Sequence, residues 1–162
     1  MDLEQQISLL IQDAPQYGVS SVAIEQAIAP VLRLFATQLQ HLEYYLLQTL
    51  ADDWILTTLT NRAQPTLEKK VIYAFPTLKD AGDFQVNKDP QIIASSVPVA
   101  HILFQVFTLE QVDSVVFVET PGNLTSGKEI RTEDLQKLMM RQIQQLRSKP
   151  SSGASNLPPN LA

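Results

Sequence analysis

The chain contains no cysteine, so disulfides, thiolate metal centres, iron–sulfur clusters and cysteine nucleophiles are all excluded. Glycine is scarce, at five residues in 162, and none sits in the G-x-S-x-G context of a serine nucleophile elbow. Long apolar runs are missing as well. The greasiest stretch, residues 22–50, is interrupted by Arg33, His41 and Glu43, whereas a spanning helix needs about 20 apolar residues in a row. Positive charge is in short supply: Lys and Arg number 12 against 17 Asp and Glu, a net charge of −5. Such a surface repels nucleic acid and anionic lipid. The opening residues Met1-Asp2-Leu3-Glu4 are acidic where a secretory signal is basic. These absences together predict a soluble cytoplasmic protein with no membrane span and no nucleic-acid partner.

What is present is enough for a core. Hydrophobic residues make up 44% of the chain and charged residues only 18%, a composition that folds without metal or disulfide staples at this length. One domain is expected over residues 1–149. From Pro150 the Pro/Ser-rich segment 150–162 cannot build a core and reads as a disordered tail. Charge is uneven. Residues 1–53 carry seven acids against the single base Arg33, a net of −6, and the rest of the chain is close to neutral.

Hydrophobic periodicity then gives the elements. Leu3, Ile7 and Leu10 place a short helix over residues 2–13, stopped by Asp13-Ala14-Pro15. Ser20 or Ser21 caps a second helix. Its apolar stripe of Ile24, Ile28, Val31, Phe35, Leu39, Leu42 and Leu46 advances in steps of three and four. That spacing predicts one long helix, kinked near residues 26–30 by Pro30. Residues 54–60 and 70–75 read as a strand hairpin around a 61–67 loop, and 77–96 as a long irregular connection. Residues 98–110 fit a helix better than a strand, and 114–118 a buried strand, so a βαβ crossover links 70–75 to 114–118. Thr132, with Glu133 and Asp134 behind it, opens a last helix whose inner face includes Leu135, Leu138 and Met139. The fold class is α+β: a small mixed sheet of three or more strands against a long kinked N-terminal helix and a C-terminal helix.

Several residue sets suggest chemistry. Gly122 to Lys128 has the G-x-x-x-x-G-K spacing of a phosphate loop and follows a strand. Glu129 stands where a magnesium-binding hydroxyl belongs, however, and the following helix starts too late, so a surface loop is the better reading. Asp53 with Glu68, Lys69 and Lys70 could position a metal-bound water as in nucleases, but acid–lysine patterns of this kind are common by chance. His41 lies beside the apolar stripe. His101 could act as a base with Glu119 or Asp113, although an isolated histidine more often bonds to backbone. Phe35, Tyr44, Tyr45 and Trp54 are expected to pack the long helix onto the sheet. No metal or cofactor is implied.

The stretch Phe107-Thr108-Leu109-Glu110-Gln111-Val112-Asp113, continued by Ser114 to Gly122, and the glutamine-rich helices resemble conserved hypothetical proteins of cyanobacteria. The resemblance implies a bacterial cytoplasmic protein and assigns no functional residue. With no clustered titratable set, the residues point away from an enzyme and toward an interaction, assembly or regulatory protein. Its expected interface is the stripe Ile24, Ile28, Val31, Phe35, Leu39, Leu42 and Leu46 on the acidic helical half, too long for a small sheet to cover. The expected partner is a protein, most simply a second copy in a homodimer. The alternative is a hydrolase or small-ligand binder for phosphate or nucleotide, with Glu119, Asn123 and Lys128 at the carboxyl end of strand 114–118.

Overall fold

Asp2 starts the first helix. Its carboxylate accepts from the Gln5 N–H at 2.8 Å, and the Gln5 side chain accepts from the Asp2 N–H at 2.9 Å. This reciprocal box satisfies two orphaned donors and opens α1, Leu3–Gln12. The structure, a computed structural model, describes residues 1–148 except 62, 86 and 87, so the tail expected over 150–162 lies outside the described residues.

Ser20 accepts from the Ala23 N–H at 3.0 Å and opens α2. This helix runs through α-helical Ser21–Ala23, a π-helical turn Ile24–Ile28 and α-helical Ala29–Ala36. The widened turn falls where Pro30 was expected to kink the chain. Proline has no N–H to donate, and just before it the Ala29 N–H reaches back to the Ile24 carbonyl.

The expected long helix ends at Ala36. Residues 37–42 turn, and Glu43–Thr49 forms a strand, β1. A step of four residues preserves strand parity as well as helical phase, so Leu42 and Leu46 suit either structure. The adjacent Tyr44 and Tyr45 favour the pleated one, and Tyr44 and Leu46 are both buried on one face of it.

The remaining strands are β2 (Thr57–Asn61), β3 (Gln64–Phe75), β4 (Ile92–Pro98), β5 (Ser114–Val118) and β6 (Gly127–Arg131). The sheet order is β4-β1-β3-β5-β6, with β2 alongside β3. Only β3 and β5 are parallel; the other pairs are antiparallel. Three helices complete the fold: α3 (Leu78–Phe84), α4 (Val99–Thr108) and α5 (Thr132–Ser148). It is an α+β fold with a mixed sheet, and α4 lies in the connection between parallel β3 and β5, as the crossover requires.

Three local expectations need correction. The hairpin of β2 and β3 exists, but β3 begins at Gln64, inside the expected 61–67 loop. The connection 77–96 is not irregular: it contains α3, capped by Thr77, and the first five residues of β4. The polar segment after residue 123 contains β6.

β1 and β2 share one edge of β3. Tyr45 faces Phe75 and Leu46 faces Ala74; at that register Thr49 would face Val71, but Thr57 does so, which loops eight residues out of the strand. The excursion turns tightly, with Asp52 N–H on the Thr49 carbonyl at 3.0 Å and Thr49 N–H on the Asp53 carbonyl at 2.8 Å. It rejoins β1 through a bridge between Gln48 and Trp54.

The two faces of the sheet are covered unequally. Helices α1, α2, α4 and α5 bury Ile28, Leu32, Phe104 and Met139 against Tyr44, Ile72, Val115 and Phe117. The opposite face has only α3, whose Ala81 and Phe84 cover Leu47, Phe75 and Val118. No helix among the described residues is long and apolar enough to cross a membrane.

Candidate functional site

Glu119 follows β5 and is fully engaged by the chain itself. Its Oε2 accepts from the Gln40 N–H at 2.9 Å, and its Oε1 accepts from the Tyr44 hydroxyl. The His41 ring Nε2 lies 2.9 Å from the Glu119 carbonyl oxygen, and the His41 N–H donates to the Tyr44 oxygen at 3.3 Å. Burial, together with the adjacent carboxylate, pushes the Tyr44 hydroxyl above the usual phenol range. This cluster anchors the turn 37–42 to the end of β5. His41 therefore bonds to backbone, from a turn rather than from a helix.

The other residues named for that end of the sheet have separate tasks. Asn123 Oδ1 accepts from the Thr125 N–H at 3.2 Å and from its hydroxyl at 2.8 Å, closing a local turn. Lys128 stands exposed on β6, opposite Phe117. Both glycines of the phosphate-loop spacing serve the path of the chain. Gly122 has φ +82°, and its N–H donates to the buried Asp80 carboxylate at 2.9 Å. Gly127 packs flush against β5, where an added Cβ would come within 2.9 Å of the Phe117 carbonyl oxygen.

The nuclease-like set is dispersed. Asp53 lies in the excursion, whereas Glu68, Lys69 and Lys70 lie on β3. Lys69 pairs with Glu129, which holds that carboxyl below its usual range, and the Lys70 N–H donates to Asp113 Oδ2 at 2.7 Å. Among the described residues no group of three or more His, Asp or Glu could hold a metal ion. His101 sits in the first turn of α4, edge-on to the Tyr17 ring at 6.1 Å between centroids. Burial lowers its pKa, with Asp13 opposing more weakly. Its two considered partners, Glu119 and Asp113, are bonded elsewhere.

The stripe expected as an interface is largely interior to one chain. Ile24, Ile28, Val31 and Leu46 are buried, Phe35 and Leu39 pack against the core, and only Leu42 is half exposed at 50%. The expectation assumed a rod longer than its sheet. With α2 ending at Ala36 and Leu46 inside the sheet, no such overhang exists.

The exposed features that remain include the end strands of the sheet, β4 and β6, the outer side of β2, for which no second strand partner is found among the described residues, and a cleft beside α4. Along the β1–β4 pair, the Val99 N–H donates to the Leu42 carbonyl at 2.9 Å. By antiparallel alternation Val97, Ser95 and Ile93 bond inward to β1, while Ile92, Ala94, Ser96 and Pro98 face outward. The Ile92 N–H is taken by the Asp89 carbonyl at 3.0 Å, and proline has no N–H. The N–H and C=O groups of Ala94 and Ser96 thus point away from the sheet, and no described strand pairs with them. No residue of β4 carries a charge. The opposite edge, β6, is Gly-Lys-Glu-Ile-Arg and exposes every side chain except Ile130.

The cleft lies between the excursion, the end of β4 and α4, with a volume of about 880 Å³. Trp54, Asp52 and Asp53 form one wall, His101 and Gln105 the other, and Glu110 stands on the loop after α4. Sequence reading placed Trp54 in a strand packed under the helix, because nothing local reveals that β1 and β2 would share an edge. Against this architecture, no family model matches the chain, and neither does any curated protein.

Proposed function

We propose that this is a non-enzymatic interaction protein of the cytoplasm that self-associates, two copies joining their β4 strands into one continuous sheet. The uncharged, open edge of β4 is the observation that carries the reading. An edge strand presents a ready template for another chain, and proteins usually blunt it with charge, proline or a covering element. In an antiparallel two-fold pairing the residue on the axis meets its own image, so a charge near the middle of the strand would confront its like. β4 is free of charge throughout Ile92–Pro98, although the chain as a whole carries −5. That neutral strip suits a second copy of the same chain.

Light scattering during size-exclusion chromatography tests the reading. The native chain should elute at the mass of two copies. The double variant Ile93→Lys with Ser96→Lys, placed at two exposed positions, should elute as a single chain of 18.1 kDa with an unchanged circular dichroism spectrum. A native chain that is monomeric at all accessible concentrations contradicts the proposal.

A further inference from the structure

The excursion between β1 and β2 is a costly piece of chain to maintain without a use. It removes eight residues from a strand that could have run straight along β3. Its turn also holds Asp52 at φ +68°, a left-handed conformation that glycine adopts freely and other residues at some expense. Asp52 lies on the cleft, and its carboxylate accepts from the Gln48 side chain at 3.2 Å.

The lining of the cleft has one sign of charge. Asp52, Asp53 and Glu110 contribute three carboxylates, and no lysine or arginine lines it. Neither Asp53 nor Glu110 has a side-chain hydrogen bond or ion pair among the described residues. Leu56 and Leu109, which keep accessible surface, supply apolar contact, and the half-buried indole of Trp54 lies on the lining beside them. A volume of about 880 Å³ is within the range of small-molecule sites.

We infer that this cleft binds a small organic cation: an ammonium group carried on an apolar or aromatic body. The ammonium sits in the negative field that Asp52, Asp53 and Glu110 give the cleft, near the Trp54 indole, where charge and quadrupole both favour it. The apolar body packs against Leu56 and Leu109. Anions are repelled, and neutral molecules of the same shape gain only the apolar part. The cleft meets the end of β4 at Ser96, Val97 and Pro98, but its carboxylates come from the excursion and the loop after α4, so substitutions at Asp53 and Glu110 test cation binding without touching the edge.

Trp54 is the only tryptophan in the chain, so fluorescence excited at the red edge of tryptophan absorption, where the four tyrosines do not absorb, reports on this cleft. The full chain is titrated with benzyltrimethylammonium and 2-phenylethylamine, and in parallel with 2-phenylethanol and phenylacetate. Saturable fluorescence changes are expected for the two cations, with binding at least about tenfold weaker for the alcohol and the anion. Asp53→Asn combined with Glu110→Gln should weaken cation binding more than about tenfold and leave the thermal midpoint unchanged. Asp52→Gly should keep or raise the thermal midpoint while weakening the cations, which separates the role of the side chain from that of the turn. Equal response to alcohol and amine overturns the inference. So does the absence of any saturable response below about 10 mM.

Discussion

The strands at the two ends of the sheet order, β4 and β6, face the same solvent but are built differently. β6 carries Lys128, Glu129 and Arg131 along five residues and begins at a glycine pressed against its neighbour. β4 runs Ile-Ile-Ala-Ser-Ser-Val-Pro, with no charge to deter a partner. The first pattern is that of an edge kept solitary. The second leaves backbone groups of Ala94 and Ser96 open to pairing, with only Pro98 and Asp89 closing its ends. Sequence composition averages over these two strands, and the contrast is visible only once topology assigns each to an edge.

The largest expected effect breaks the contrast by making β4 resemble β6. Ile93→Lys with Ser96→Lys should convert a two-chain species to a single chain, read by sedimentation velocity, whereas Lys128→Ala on β6 should leave the mass unchanged. The reverse exchange sharpens it. Lys128→Thr with Arg131→Thr removes the exposed cations of β6 and should add concentration-dependent species larger than two chains.

Stability changes are smaller and should leave association intact. Gly127→Ala forces a methyl to within 2.9 Å of the Phe117 carbonyl oxygen and of Val116 Cγ1. Backbone cannot move as a flexible side chain can, so a loss of about 1–3 kcal/mol in urea unfolding is expected. Tyr44→Phe removes the hydroxyl that donates to Glu119 from a fully buried ring opposite Val97 of β4. A loss of about 1.5–3 kcal/mol follows for a bond to a charged acceptor. If Tyr44→Phe also abolished self-association, the separation between edge and core would be wrong.

The smallest effect concerns pH. Burial lowers the pKa of His101 in the folded chain, so the unfolded chain binds its proton more readily. Stability from this residue is therefore full above the ordinary histidine range near pH 6.5 and declines as pH falls through it. The thermal midpoint should drop between about pH 7.5 and 5.5, and His101→Gln should reduce that drop.

Much of the fold was legible in the sequence because local pattern and tertiary role agreed. The helices at 3–12 and 132–148, the helix at 99–108 and the strand at 114–118 all announce themselves by periodicity or by cap residues such as Thr132. The second helix was overextended because Leu39, Leu42 and Leu46 continue a helical spacing that a turn and a strand also satisfy. β4 was missed because Ala94-Ser95-Ser96 has little β-branched or aromatic character, and only its pairing with β1 makes it a strand. The candidate site suffered most. Glu119 and Asn123 look available in the sequence, yet the hydrogen bonds that occupy them come from Gln40 and Tyr44, 79 and 75 residues away, and from Thr125. The cleft depends on an excursion that no local signal marks.

Amide hydrogen exchange, followed as a function of protein concentration, addresses the pairing of β4 most directly. Ala94 and Ser96 donate to nothing among the described residues, so their protection should rise as concentration increases, while the outward amides of β6 stay unprotected. Rapid exchange of both residues at every concentration would contradict the account.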